Sequence, residues 1–321
     1  MNDRRAVALS CGEPAGIGPE IAADAWRSLR ESVPFFWIGD AAHLPADLPK
    51  VLIANPLDAA GSMANGLPVF HIDFDALATP GVPNPGHAKH VIGAIRTGHE
   101  MVTQGKARAL CTAPIHKKAL QDGAGFEFPG HTEFLAHLSG VKQAVMMLAS
   151  DTLRVVPATI HIALSQVAET LSPDMLENTI RITHAGLKSS FGFPTPKIAV
   201  AGLNPHAGEG GAMGDEELTW IAPLLDRLRL DGLELLGPLS ADTMFHERAR
   251  ARYDAAVCMY HDQALIPIKT LAFDDGVNVT LGLPIMRTSP DHGTAFDIAG
   301  RGLANPSSLI AALKMAHGMA K

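Results

Sequence analysis

The stretch KIAVAGLNPHAGEGGAMG, which runs from Lys197 to Gly214, joins an apolar, strand-like run to a glycine-rich turn that contains one histidine, His206. A turn of this kind can cradle a phosphate with backbone N–H groups, or it can present a histidine to a metal ion. The first role would make the protein a nucleotide-binding module, and the second would make it a metal enzyme. In both cases the turn follows a strand, and open α/β sheets bind their ligands at the carboxyl ends of strands.

Apolar runs of strand length alternate with segments of helical period along the chain, which is typical of α/β architecture. The first such unit is the strand AVALSC, the loop GEPAGIG and a helix with Pro19 in its first turn. Later helices are predicted from about His87, in PDMLENTIRITHAGL and in DEELTWIAPLLDRLRL. Further strands are predicted in FFWIG, KVLIA, ARALCTAP, QAVMMLA, LRVVPATIHI, KIAVAGLNP, DAAVCMYHD and VNVTLGLP. The length of 321 residues favours two lobes over one.

Composition narrows the possible partners. The chain is 47% hydrophobic and 18% charged with a net charge of −7, so a folded protein is expected, without a basic surface for nucleic acid or membrane. The apolar run near the N-terminus is too short for a signal peptide or a membrane span. Three cysteines with apolar neighbours predict buried thiols rather than disulfides. These features predict a cytoplasmic protein that acts on a small molecule.

Three histidines follow predicted strands. His161 lies in ATIHI, His206 follows KIAVAGLNP, and His261 lies in CMYHDQ. One such histidine is usually structural, but three at strand ends are candidates for a shared metal site, and three imidazoles leave a position open for substrate. Asp242 and Asp262 could orient these ligands or add a carboxylate, and their ordinary alternative is a helix cap or turn.

The glycine turn does not fit a nucleotide motif. Its spacing differs from G-x-G-x-x-G, Glu209 would repel phosphate, and no lysine is present to meet one. The loop GEPAGIG fails the same patterns. A tight turn therefore competes well with a phosphate cradle at Gly202–Gly214.

Three other groups suit an anionic ligand. PGHTEF predicts a helix start, with Thr132 or His131 as N-cap and Glu133 in the first turn, and its free N–H groups could seat a phosphate or carboxylate. Lys269, Asn278 and Arg287 provide two cations and an amide, although a solvated surface explains them equally. The small residues of DHGTAFDIAGRGLANP would let the backbone approach a ligand closely.

Together these segments resemble one family, the 4-hydroxythreonine-4-phosphate dehydrogenases of pyridoxal phosphate (vitamin B6) biosynthesis. The resemblance extends over the whole chain, and several of its motifs are long and unusual. Small departures are Cys11, Ala163 and Ser240, each where the family usually has proline, and none is a proposed ligand. The matching stretches are GEPAGIGPE, TAPIHK, FPGHTEF, GLNPHAGEGGAMGDEE, GPLSADTMF, MYHDQALIPIK, GVNVTLGLP and RTSPDHGTAFDIAGRG.

The resemblance implies the two-lobed α/β fold of the isocitrate and isopropylmalate dehydrogenases, with an active site in the interdomain cleft at a homodimer interface. The lobes are expected at residues 1–125 with 285–321 on the cofactor side, and 126–284 for metal, substrate and dimerisation. The resemblance also implies residue roles. The metal ligands would be His161, His206 and His261, two from one subunit and the third from the other. The substrate-binding residues would be His131, Thr132, Lys269, Asn278 and Arg287. The residues implied around NAD are His292, Gly293, Thr294 and Asn305.

The implied reaction is the oxidation of 4-phosphooxy-L-threonine by NAD, or by NADP, with a divalent Zn, Mg or Co ion. The 2-amino-3-oxo-4-phosphooxybutanoate that forms would lose CO₂ to give 3-amino-2-oxopropyl phosphate. Lys269, Asp242 and Asp262 are candidates for the proton acceptor. The alternatives are a related dehydrogenase of threonate or erythronate phosphate or of a cyclic diol, a zinc hydrolase, and a non-catalytic binder of phosphorylated small molecules.

Overall fold

The computed structural model describes residues 5–319 as strands that alternate with helices. Its strands, in chain order, are β1 (Val7–Ser10), β2 (Phe35–Gly39), β3 (Lys50–Leu52), β4 (Leu67–His71), β5 (Leu110–Thr112), β6 (Val145–Ala149), β7 (Arg154–Pro157), β8 (Lys197–Ala201), β9 (Glu234–Leu239), β10 (Ala255–Cys258), β11 (Val277–Leu281) and β12 (Arg287–Pro290). Its α-helices are α1 (Gly18–Leu29), α2 (Ala59–Ser62), α3 (Ala88–Thr103), α4 (Lys117–Ala124), α5 (His131–Ser139), α6 (Val167–Thr170), α7 (Pro173–Ser189), α8 (Ala222–Leu230), α9 (Glu247–Arg250), α10 (His261–Leu271) and α11 (Ser307–Met319).

The chain forms two compact units. The first unit contains the chain up to Ala144 and again from Val277, and the second unit is Val145–Gly276. The sequence placed these divisions near residues 125 and 285. The first unit includes α5 because this helix packs on α3, where His99 Nε2 lies 2.9 Å from Ser139 Oγ. It includes β11 because this strand pairs with β12 from Val277 to Thr280.

The sheet of the first unit has the strand order β3-β4-β2-β1-β5-β12-β11. Its neighbours are parallel except β11, which is antiparallel to β12. Strands β1 and β2 are buried along their entire length, and Trp37, Phe35 and Leu9 are among the largest fully buried side chains. Burial on both faces explains why these strands read as continuous apolar runs rather than alternating ones.

The sheet of the second unit has the order β6-β7-β10-β8-β9. Strands β7, β10, β8 and β9 are parallel neighbours, and β6 is antiparallel to β7. Leu148, Val155, Ala199 and Ile268 belong to the core under this sheet. Because β7, β10 and β8 are parallel, the segments after them emerge at one sheet edge, and these segments carry His161, His261 and His206.

The structure confirms every predicted strand and adds three. Strands β4, β9 and β12 have the sequences LPVFH, ELLGPL and RTSP, and each contains a proline or a polar run that argues against a strand. One prediction is wrong: the N-cap of α5 is Gly130, with an extended backbone, and both Thr132 and His131 lie inside the helix. The helix that the sequence placed at DEELTWIAPLLDRLRL is present as a π turn, Glu217–Ile221, followed by α8.

Cys11, Cys111 and Cys258 are buried and have free thiols, as predicted. In the part of the chain from residue 5 to residue 319, no helix has the length and apolar content needed to cross a bilayer.

Candidate active site

The carboxyl edge of the second unit's sheet brings two of the predicted metal ligands together. The ring centroids of His161 and His261 lie 5.8 Å apart, with an angle of 42° between the planes. Both rings line a cavity of about 390 Å³ together with Asp262, Tyr260 and several apolar side chains. His261 is the first residue of α10, and His161 lies in the irregular segment after β7.

His206 lies in the turn Pro205–Gly211, and its backbone is left-handed, with a φ of 51°. Non-glycine residues with positive φ are uncommon, and within residues 5–319 they are His161, His206, Ala207, Glu209 and Ala295. Each such residue costs on the order of 1–2 kcal/mol, so the surrounding structure must hold it in place. Two of the predicted metal ligands are therefore held in strained conformations, which is typical of functional sites.

Carboxylates lie next to two of these imidazoles. Asp262 Oδ1 lies 2.7 Å from His261 Nδ1, and Asp242 Oδ2 lies 4.0 Å from His206 Nδ1. A hydrogen bond from Ser240 lowers the pKa of Asp242, and His206 adds to this effect. A carboxylate on Nδ1 fixes the ring's tautomer and leaves Nε2 available to a metal. Asp262 lies at hydrogen-bond distance from its histidine and Asp242 does not, and the orienting role of both residues stays a prediction.

The donor chemistry of this edge fits a divalent ion, although one chain does not assemble a complete set. His161 and His206 are exposed, and His261 is half-exposed. Among the described residues, no three His, Cys, Asp or Glu side chains lie close enough together to hold an ion. The rings of His161 and His261 instead lie side by side, and His206 lies with Asp242 after the neighbouring strand, β8.

Arg287, at the start of β12 in the first unit, is 3% exposed and has no carboxylate bonded to it among residues 5–319. Its Nη1 donates to Thr280 Oγ1 at 2.9 Å and its Nη2 donates to Thr112 Oγ1 at 2.7 Å. Its buried Nε has no hydrogen-bond partner in the described structure. Burial lowers the pKa of this guanidinium to about 10. A buried cation that is bonded to hydroxyls alone is incomplete without an anion.

The first turn of α5 lies within the electrostatic reach of Arg287. Burial, with Arg287 and Lys117 nearby, holds the pKa of His131 well below its usual range, so this imidazole is neutral. Its Nε2 and the Oδ1 of Asn278 are buried and have no hydrogen-bond partner within residues 5–319. Thr132 follows in the same turn, whose N–H groups and helix dipole favour an anion.

Lys117 is a neighbour of this turn that the sequence interpretation missed. A Cβ placed on Gly130 would lie 3.8 Å from Lys117 Cε. The motif TAPIHK carries this lysine, but the distance to α5 could not be read from the chain.

His131 leads to a pH prediction. In the unfolded chain its pKa returns to about 6.5, so below that pH the unfolded state binds a proton that the folded state does not. The free energy of unfolding therefore falls as the pH falls. Between pH 7.5 and 5.5 we expect the unmodified protein to lose about 1 kcal/mol more than His131→Asn, measured by urea unfolding. Exposed His246 provides the control, because His246→Asn should follow the unmodified protein; equal losses for His131→Asn would contradict the prediction.

The segment predicted to bind the cofactor packs on the loop GEPAGIG. The Ile17 N–H donates to the Thr294 carbonyl oxygen at 3.0 Å, and a Cβ on Gly16 would lie 2.8 Å from that oxygen. His292 Nδ1 lies 3.1 Å from the Gly293 carbonyl oxygen, and Asn305 Oδ1 accepts from the Ser307 N–H at the start of α11. The loop GEPAGIG and the segment 291–306 therefore contact each other in the first unit, and we call the two together one layer. The second segment carries His292, Gly293, Thr294 and Asn305.

Lys269, the remaining predicted residue, lies on α10, eight positions after His261. Its Nζ lies 5.2 Å from the ring centroid of Phe273. It therefore belongs to the second unit with the histidines, whereas Asn278 and Arg287 belong to the first unit with His131 and Thr132.

Comparison with known proteins gives the family. The family model described as "Pyridoxal phosphate biosynthetic protein PdxA" matches residues 32–316. The chain belongs to the PdxA family. Its relatives include a 4-hydroxythreonine-4-phosphate dehydrogenase of Ruegeria sp. (strain TM1040), 64% identical over 98% of this chain and 97% of that protein. A protein of the same name from Paracoccus denitrificans is 57% identical over 100% of this chain and 99% of that protein.

Solved structures of PdxA relatives share the fold. A 4-hydroxythreonine-4-phosphate dehydrogenase from Klebsiella pneumoniae is 36% identical, covers 98% of each chain and has a TM-score of 0.88. A terephthalate 1,2-cis-dihydrodiol dehydrogenase from Burkholderia xenovorans is more distant, with 28% identity, 98% coverage of each chain and a TM-score of 0.67. The predicted family and the predicted α/β fold are thereby confirmed.

Proposed function

We propose that this protein is a metal-dependent, NAD-linked 4-hydroxythreonine-4-phosphate dehydrogenase. It oxidises 4-phosphooxy-L-threonine to 2-amino-3-oxo-4-phosphooxybutanoate, which decarboxylates to 3-amino-2-oxopropyl phosphate. The proposal rests on two sets of residues, one in each unit: strand-end imidazoles with nearby carboxylates in the second unit, and in the first a buried arginine that has no carboxylate bonded to it among residues 5–319. The first set suits a metal and the second suits the anionic groups of the substrate.

The residues that would hold the metal are His161, His206 and His261. A divalent ion held there, Zn, Mg or Co, would polarise the C3 hydroxyl and stabilise the negative charge that develops on oxidation. NAD, or NADP, would accept the hydride from C3. Asp262, 2.7 Å from His261 Nδ1, would hold that ring in the orientation that presents Nε2, and Asp242, 4.0 Å from His206 Nδ1, would act on His206 through its charge.

The anionic groups of the substrate would bind to residues of the first unit. Arg287 Nε and the N–H groups at the start of α5 provide donors for a phosphate or carboxylate. Neutral His131 and Thr132 donate or accept hydrogen bonds without adding charge, and Asn278 provides an amide.

The proton of the C3 hydroxyl passes to a side chain of the second unit, for which Lys269, Asp242 and Asp262 are the candidates. A pH–rate profile of substitutions at these positions would identify the base. The β-keto acid then loses CO₂, because the C3 carbonyl accepts the electron pair of the breaking bond, and C2 takes up a proton.

We further propose a homodimer with a shared site, in which two histidines come from one subunit and the third from the other. The chain alone brings no three candidate ligands together within its described part, so a second copy would complete the set. Large apolar side chains are exposed beside the paired imidazoles, namely Ile162 (38%) and Leu164 (71%), which line the same cavity. Such exposed apolar side chains are typical of an interface between subunits.

NAD is proposed to bind at the layer formed by GEPAGIG and residues 291–306. Gly16→Ala would push a methyl group against the Thr294 carbonyl and displace that loop. We expect the KM for NAD to rise about 10-fold, with metal content unchanged, in steady-state kinetics and metal analysis. Gly93→Ala is the matched control, because nothing lies within 4 Å of its added Cβ. An unchanged KM for NAD in Gly16→Ala would remove the cofactor from this layer.

A substrate panel separates the proposed activity from its relatives. The panel compares kcat/KM, from NADH absorbance, on 4-phosphooxy-L-threonine, on threonate and erythronate phosphates, and on a cyclic cis-diol. We expect the first substrate to lead by about 10-fold or more, since a lost amino or phosphate contact leaves buried polar groups unpaired. A higher value for another substrate would reassign the protein within the superfamily. Turnover without NAD would favour a hydrolase.

We also infer a cytoplasmic location, which the three free, buried thiols support.

A further inference from the structure

The residues two positions before the three candidate metal ligands are Thr159, Asn204 and Met259, and all three belong to one hydrogen-bond frame in the second unit. Thr159 donates to the Met259 carbonyl oxygen twice, from its N–H at 3.2 Å and from Oγ1 at 2.8 Å. This pair ties the segment of His161 to the segment of His261. Thr159 is 4% exposed and Met259 is fully buried, so water does not compete for these bonds.

Gln263 ties the segment of His261 to the turn of His206. Its side chain is largely buried, its Oε1 accepts from the Met259 N–H at 2.7 Å, and its Nε2 donates to the Gly202 carbonyl oxygen at 2.8 Å. One amide side chain therefore bridges the backbone at the start of α10 and the backbone at the end of β8. An aliphatic residue of the same length could make neither bond.

Glu217 fixes the turn of His206 from the other side. This carboxylate is 2% exposed; its Oε1 accepts from the Asn204 N–H at 2.8 Å and its Oε2 accepts from Asn204 Nδ2 at 2.9 Å. A Cβ on Gly202 or on Gly208 would lie 3.0 Å or 2.8 Å from its oxygens, so two glycines of the turn make room for it. Glu217 begins a π turn, a feature often found at functional sites.

We propose that Gln263 and Glu217 are positioning residues for the metal site. Gln263 holds the segments of His261 and His206 in one register, to which Thr159 joins the segment of His161, and Glu217 maintains the left-handed backbone of His206. The inference rests on the proposed metal site, because the frame ends two residues short of each ligand. Neither residue touches the substrate in this account.

The test uses the full-length, metal-stripped protein and the variants Glu217→Gln and Gln263→Met. Both keep side-chain size, but the first places an amide donor against Asn204 Nδ2, and the second removes both bonds of Gln263. Thr183→Val is the matched control, because it removes a buried hydrogen bond of the same unit, from Thr183 Oγ1 to the Thr179 carbonyl, which lies within α7 and outside the frame. Co²⁺ affinity is measured by competition with a chromophoric chelator, and the visible Co²⁺ spectrum reports ligand geometry.

We expect both variants to bind Co²⁺ about 10-fold or more weakly and to shift its visible bands, while Thr183→Val matches the unmodified protein. In the metal-free state, amide exchange over residues 203–214 should be faster in both variants than in the control. Unchanged affinity, spectrum and exchange in the two variants would overturn the inference. If the unmodified protein bound no Co²⁺, the metal site itself would fail, and the exchange measurement would still decide whether the frame holds the turn.

Discussion

The variant His206→Asn is expected to lose bound metal and nearly all turnover. Asparagine tolerates the left-handed backbone of residue 206 better than alanine does, so the imidazole is removed with the least strain on the turn. Without one of three nitrogen ligands, charge that develops on the C3 oxygen loses its stabilisation. We expect kcat/KM to fall by about 10³-fold or more, and metal content, measured by atomic emission, to fall with it.

The control for this variant is His246→Asn, which changes an exposed histidine of the same unit just before α9. It should keep metal content and rate. If His206→Asn retained full metal content and a normal rate, the three-histidine site would be wrong. If it retained metal but lost turnover, His206 would act on the substrate rather than as a ligand.

The variant Arg287→Met is expected to lose substrate binding without losing stability. Arg287 keeps its charge in a buried position where two hydroxyls are its hydrogen-bond partners, and burial of this kind disfavours the folded state. Methionine fills much of the same volume without a charge. We expect kcat/KM to fall by about 10²–10³-fold, since a charge-assisted contact to a buried anion is lost, while the midpoint of thermal unfolding stays equal or rises.

Arg27→Met is the matched control, because it removes an exposed arginine of the same unit that pairs with Asp24 and Asp47. It should change neither kinetics nor stability appreciably. Arg287→Lys keeps the charge and loses the planar fork, so its kcat/KM should lie between the other two. An Arg287→Met protein that bound substrate normally but unfolded at a markedly lower temperature would make Arg287 a structural residue.

Much of the fold follows from short-range pattern. Strands β1, β2 and β8 are apolar runs bounded by glycine or proline, β10 is an apolar run that follows Asp254, and the helices keep an apolar face, so local rules located them. Strand β12 was not predicted, because its sequence RTSP is polar although all four residues are buried. Its burial depends on the hydrogen bonds of Arg287 to Thr280 and Thr112 on the neighbouring strands. Histidines at strand ends were predictable as a group, because parallel strands present their carboxyl ends at one edge.

The contacts that organise the site were not predictable, because they join residues distant in sequence. The Gln263 bond to Gly202 spans 61 positions and the Arg287 bond to Thr112 spans 175. Glu217 in the motif GDEE looks like an acidic first turn of a helix, which places such residues on the surface. Glu217 is buried because it packs against Gly202 and Gly208 and accepts a hydrogen bond from the Asn204 N–H. For the same reason the sequence alone could not distinguish a phosphate cradle from a turn that a carboxylate already fills.

The most direct measurement mixes metal-loaded protein with NAD and 4-phosphooxy-L-threonine, follows absorbance of NADH and release of CO₂, and repeats the reaction after removal of metal by a chelator. We expect NADH and CO₂ in equal amounts, loss of the reaction on chelation and its return on addition of Zn²⁺, Mg²⁺ or Co²⁺. An equal rate after complete metal removal, or no NADH from this substrate with metal present, would contradict it.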